Sequence, residues 1–109
     1  MKYFAISLLI GAIVIVGNLD FSFMEPRTGV EVYTTFCVSC HGEDGRGRVE
    51  GAADFVGDRR ILRKTDEELL ESIREGKGEM PRWSGILTEE EMVNVLQYIR
   101  ETFTRRQNR

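Results

Sequence analysis

Both cysteines of the chain and its only histidine fall within Cys37-Val38-Ser39-Cys40-His41. This C-x-x-C-H grouping constrains the fold more than any other feature, because it is the attachment pattern of c-type haem. At a helix end Cys37 and Cys40 project toward one side and can add to the two vinyl groups of a porphyrin, while His41 is placed to coordinate the iron from below. The other readings of such a cluster fare worse. A disulfide between Cys37 and Cys40 closes too small a loop to stabilise much. A thioredoxin-like redox pair needs a βαβ neighbourhood, and structural zinc needs four ligands where the chain offers two Cys and one His.

The length makes a large cofactor welcome. A chain of 109 residues is one domain, and about ninety residues remain once its apolar start is set aside. Domains of that size bury a small fraction of their surface and often take a metal, a disulfide or a prosthetic group into the interior. With 41% hydrophobic and 30% charged residues, eleven Gly and two Pro, the balance is globular. A net charge of -3 makes nucleic acid an unsuitable partner. Arg46, Arg48, Arg59, Arg60, Arg63 and Lys64 outnumber the acids around them, whereas residues 66–101 are dominated by Glu. This unevenness reads as a docking face or as ordinary solvated surface. The terminal "RRQNR" reads as a frayed end rather than a contact.

"MKYFAISLLIGAIVIVG" sets one Lys before an uncharged run, apolar but for Ser7, to Gly17, the n-region and h-region of an export signal. Fifteen helical residues reach about 22 Å, short of the roughly 30 Å hydrocarbon core. Residues 1–17 are therefore expected as a signal peptide, or else as an N-terminal membrane anchor. In either case the remainder is delivered outside the cytoplasmic membrane, periplasmic or otherwise extracytoplasmic. Residues 18–27, with Pro26, read as a linker, and residues 28–109 as the folded domain.

Within that domain Val32, Tyr33, Phe36, Cys37 and Cys40 recur at helical spacing, so the cysteines ride the end of a helix running from Gly29 to Cys40. Gly42, Gly45 and Gly47 then stop it in a loop with positive-φ positions. "TDEELLESIREG" opens with a capping box, Thr65 and Glu68, and carries Leu69, Leu70 and Ile73 on one side. "TEEEMVNVLQYIRETF" repeats the device with Thr88 and Glu91, and aligns Met92, Val95, Leu96, Ile99 and Phe103. No run alternates apolar and polar residues, so an all-α domain is expected.

A haem iron takes a second axial ligand or keeps an open position, and that choice decides between electron transfer and ligand chemistry. No second histidine exists. Met24 lies in the linker and Met92 in a helical stripe, whereas Met80 in "GKGEMPRW" sits in a Gly- and Pro-bounded loop suited to holding a thioether on a metal.

"GVEVYTTFCVSCHGEDGRG", "GEMPRW" and "LQYIR" together resemble the small class I monohaem cytochromes c, over residues 29–103. The resemblance implies a small cytochrome c fold, three to four helices wrapped around one covalently bound haem c. In it Cys37 and Cys40 carry the thioethers, while His41 and Met80 are the axial ligands. Gly29 and Tyr33 would lie where the first helix crosses the last, near Tyr98. The family often has a proline about a dozen residues after the histidine, whose carbonyl receives the imidazole Nδ1 proton; here Ala53 stands near that place. Phe55, Val56, Leu62, Leu70, Ile73 and Trp83 are expected as haem-pocket walls or core, and Arg59, Arg60 or Arg82 as propionate partners.

With both axial positions filled by protein, the expected function is outer-sphere electron transfer as an extracytoplasmic shuttle between redox protein partners, without enzymatic activity of its own. The alternatives are a haem c relay subunit of a larger periplasmic or membrane-bound oxidoreductase complex, anchored through the N-terminal segment, and a ligand-binding or peroxidase-like haem protein in which Met80 leaves the iron.

Overall fold

The computed structural model describes residues 25–109. The expected signal or anchor over 1–17, the linker residues before 25 and Met24 lie outside the described residues. Three helices carry the fold. Helix α1 spans residues 29–41 and is composite: an α-helical turn Gly29–Val32, a π-helical segment Tyr33–Cys37, and a second α-helical turn Val38–His41. Helix α2 is Asp66–Glu75 and helix α3 is Glu89–Gln107. A short 3₁₀ turn, Ile61–Arg63, interrupts the long connection from α1 to α2. Among the described residues the only strand-like pairings are the isolated bridges Lys77 with Met80 and Ser84 with Leu87. The all-α expectation therefore holds.

Each helix begins the same way. Thr65 and Thr88 accept the N3 amide on their hydroxyls, while Glu68 and Glu91 return a carboxylate to the cap amide. Thr28 and Glu31 form a third such box at the start of α1. All three boxes satisfy amides that the first turn leaves without intrahelical partners. The stripes read from the sequence are the buried faces: Leu69, Leu70 and Ile73 on α2, and Met92, Val95, Leu96, Ile99 and Phe103 on α3. With Val32, Tyr33, Phe55, Val56 and Leu87 they form one core.

Helices α1 and α3 cross at Gly29. A β-carbon there would stand 2.7 Å from Cβ of Tyr98 and 2.9 Å from the carbonyl carbon of Asn94, a separation only a glycine allows. Asn94 donates its side-chain amide to the Arg27 carbonyl at 3.1 Å, and the Tyr33 ring lies 5.3 Å from Tyr98 and 5.5 Å from Phe103. Arg27 pairs with Glu91 at 2.5 Å. Glu91 is only 4% exposed, and the Arg27 guanidinium, with the Thr88 amide, holds its carboxyl down at about 2. Arg100 on α3 donates to the carbonyls of Leu62 and Lys64 and to Asp66, each at 2.7 Å, which fixes the start of α2 against α3.

One expectation fails. The C-terminal "RRQNR" is not a frayed end: α3 continues through Gln107, whose side-chain amide donates to the Phe55 carbonyl at 2.6 Å. Arg106 reaches the Glu43 carbonyl at 3.5 Å and lies over the Phe103 ring. A run of polar residues past the last apolar one reads as a solvated end, but here the loops after α1 fold back onto it and supply it with backbone acceptors.

Candidate functional site

The motif sits where α1 changes its winding. In the π-helical segment the Val38 amide bonds to the carbonyl of Tyr33 rather than to that of Thr34, and such wider turns inside α-helices concentrate at functional sites. The helix then ends abruptly. Gly42 adopts φ 83, its amide returns to the Val38 carbonyl at 2.8 Å, and the amides of Arg48 and Gly47 reach the carbonyls of Cys40 and His41 at 2.7 and 2.8 Å. The terminal carbonyls thus find partners in the Gly-rich loop. The Tyr33 hydroxyl, fully buried, donates to the Gly42 carbonyl at 2.6 Å. Burial of that phenol drives its pKa well above the ordinary tyrosine value.

Cys37 and Cys40 are not joined in a disulfide. Cys37 is half-buried and packed against the core, and desolvation pushes its thiol up to about 12; Cys40 is exposed. The His41 ring stacks on Phe55 at 4.7 Å with 21° between the planes, and its Nδ1 donates to the Ala53 carbonyl at 3.3 Å. Burial lowers the imidazole pKa, partly opposed by the Ala53 carbonyl. Ala53, near the place expected from the sequence, is the residue whose carbonyl reaches the imidazole. A neutral imidazole with Nδ1–H engaged leaves Nε2 as the nitrogen available to a metal.

Met80 is placed by the end of α2. At Gly76, φ 76, the chain turns out of the helix, and a β-carbon there would lie 2.9 Å from the Pro81 carbonyl carbon. Lys77 and Met80 exchange backbone hydrogen bonds at 3.2 and 3.0 Å, and the amides of Trp83 and Ser84 return to the Ile73 and Arg74 carbonyls, both at 3.1 Å. The Met80 loop is therefore tied at both ends to α2. Met80 itself is partly buried against the core, unlike Met92, which is enclosed within it. The motif helix and this loop meet through Phe36 and Trp83, edge to face at 5.4 Å, with the Arg27 guanidinium 4.8 Å from the Phe36 centroid.

Of the expected walls, Phe55, Val56, Leu70 and Ile73 are buried, whereas Leu62 and Trp83 are partly buried against them. The expected propionate partners each have another bond: Arg59 donates to the Gln107 carbonyl, Arg60 pairs with Asp58, and Arg82 lies 3.7 Å from Glu75. Among the described residues no three His, Cys, Asp or Glu side chains converge on a common point. The donor set on hand, two unpaired thiols, an imidazole with a committed Nδ1 and a thioether in a braced loop beside apolar walls, fits a covalently attached haem better than a bare ion.

Sequence comparison locates the chain among known proteins. The family described as "Cytochrome C oxidase, cbb3-type, subunit III" matches residues 24–99. The "Cbb3-type cytochrome c oxidase subunit FixP" of Bradyrhizobium diazoefficiens is 37% identical over 65 residues, 58% of this chain but 22% of that protein. The chain thus spans about a fifth of the length of the FixP proteins it matches. Cytochrome c6 of Euglena gracilis is 32% identical over 82 residues, 65% of this chain and 85% of the relative. Among solved structures the "KustC0563 c-type cytochrome" superposes with a TM-score of 0.62 at 29% identity, covering 70% of this chain and 98% of the other.

Proposed function

The chain belongs to the class I cytochrome c family, electron carriers with one covalently bound haem c, and from that premise we propose that Cys37, Cys40, His41 and Met80 hold the haem and that the protein works as an extracytoplasmic electron shuttle. When bound, the haem supplies one-electron exchange between Fe(II) and Fe(III). Every other part of the task falls to the polypeptide. Cys37 and Cys40 would anchor the porphyrin through thioethers, His41 would ligate through Nε2 while the Ala53 carbonyl holds its Nδ1 proton, and Met80 would supply a second, thioether ligand. With both ligands supplied by the protein, a haem held this way would offer no site to a substrate. The apolar surroundings of Phe55, Val56, Leu70 and Ile73 exclude water and favour the less charged, reduced state.

The observation that carries this reading is the bracing of Met80: Gly76 turns the chain out of α2 and the Trp83 and Ser84 amides return to it, so the only methionine in a non-helical loop of the described residues is held in place. A second reading rests on the match to the cbb3-type subunit III family and to FixP: the domain relays electrons inside a larger oxidase complex. Among the described residues no helix is long and apolar enough to cross a membrane, so attachment to such a complex would use residues 1–17 or protein contacts. Retention of the intact N-terminus in a membrane fraction, together with co-purifying chains, would favour the relay over the free shuttle.

The test is ligand access. Carbon monoxide added to the reduced, haem-matured protein at neutral pH is expected not to bind, whereas the Met80→Ala variant binds it rapidly and completely and has a lower reduction potential. Rapid and complete binding by the unmodified protein would show an open iron and remove the shuttle role.

A further inference from the structure

The segment that orients His41 has no proline to stiffen it; it reads Ala52-Ala53-Asp54-Phe55. Two of its groups nevertheless address the imidazole, the Ala53 carbonyl at 3.3 Å from Nδ1 and the Phe55 ring stacked at 4.7 Å. Something must fix the strap, and the last turn of α3 does so from two directions. Gln107 donates its side-chain amide to the Phe55 carbonyl at 2.6 Å, and Arg59, just beyond the strap, donates to the Gln107 backbone carbonyl at 2.5 Å. Phe103, one helical turn earlier and fully buried, stacks on the strap's aromatic at 5.7 Å and 24°. The Phe55 amide is itself held by the Gly45 carbonyl at 2.8 Å.

We propose that Gln107 is a positioning residue for the axial imidazole: its hydrogen bond to the Phe55 carbonyl holds the strap so that Ala53 and Phe55 fix the orientation and the basicity of His41. The inference rests on the ligation of His41 set out above. A hydrogen bond from Nδ1–H to a carbonyl makes an imidazole a stronger electron donor to a metal, which stabilises the oxidised state. Loosening the strap therefore weakens the donor and shifts the couple toward the reduced form. Gln107 does this without touching the imidazole, from a partly exposed position in the last turn of α3, where a substitution removes the hydrogen bond to the Phe55 carbonyl.

The experiment compares the haem-matured protein with Gln107→Leu, which keeps bulk and loses the donor, and Gln107→Lys, which keeps a donor. Gln107→Leu is expected to shift the redox equilibrium toward the reduced form by at least about threefold, or about 28 mV at 59 mV per tenfold for a one-electron couple. It should also speed solvent exchange of the His41 Nδ1 proton in the reduced protein, read by NMR, while Gln107→Lys restores most of both. A Gln107→Leu protein of lower melting temperature but unchanged potential and exchange would reduce Gln107 to a structural tie and overturn the proposal. If the unmodified protein shows no histidine-ligated iron at all, the ligand assignment has failed first and takes this inference with it; the two failures are told apart by the parent spectrum.

Discussion

Substitution of Gly29 by Ala tests the helix crossing on which the pocket is built. A β-carbon at this position would stand 2.7 Å from Cβ of Tyr98 and 2.9 Å from the Asn94 carbonyl carbon, whereas carbon atoms pack at about 3.5–4.0 Å. The deficit is about 1 Å, and both obstructing atoms belong to the α3 backbone or its first side-chain carbon, so no rotamer change relieves it. Overpacking of this kind costs about 1–3 kcal/mol. Alanine recovers at most about 1 kcal/mol of helix propensity over glycine, and less in the first turn, where Gly29 sits. The net loss is about 1–2 kcal/mol, which for a domain of this size lowers the melting temperature by about 4–16 °C. The assay is thermal unfolding of the haem-matured protein followed by far-ultraviolet circular dichroism, with the visible spectrum recorded alongside. The spectrum should be retained, because the crossing lies away from His41 and Met80 in the chain. An unchanged or raised melting temperature would mean that α1 and α3 do not meet closely at Gly29.

Tyr33→Phe removes the donor to the Gly42 carbonyl while keeping the buried ring. That carbonyl still accepts the Gly45 amide at 3.2 Å, so the loss should stay near about 1 kcal/mol in chemical denaturation, and a loss well above 3 kcal/mol would contradict the local geometry. For Glu91, the Arg27 hydrogen bond depresses the folded-state pKa from the ordinary 4.5 to about 2. The associated stability is present above pH 4.5 and is lost as pH falls toward 2. Glu91→Gln should flatten the acid-unfolding profile across that window, and a profile as steep as that of the parent would rule out the carboxylate as its source.

Much of the fold was legible because it was written locally. Thr65 with Glu68 and Thr88 with Glu91 mark helix starts within four residues, and the stripe from Met92 to Phe103 marks a buried face. The same T-x-x-E pattern at Thr28 and Glu31 opens α1, although periodicity alone already places that helix from Gly29. The π-helical winding at Tyr33–Cys37 is not legible in the sequence, because residues 32, 33, 36, 37 and 40 fit an ordinary helix equally well. Pairings distant in the chain were the least visible. Arg27 and Glu91 are 64 residues apart and Gln107 and Phe55 are 52 apart; nothing in either member of a pair announces its partner. The cysteines and histidine needed no such pairing, since their spacing alone carries the chemistry. Met80 was reached by elimination among methionines, and the resemblance to a known family supplied the rest.

The far-red absorption of the oxidised, haem-matured protein tests most directly the claim that iron sits between His41 and Met80. A weak charge-transfer band is expected there, absent from Met80→Ala and present in a Met92→Leu control. A parent protein without the band, or a Met80→Ala variant that keeps both the band and the parent potential, would place another ligand on the iron.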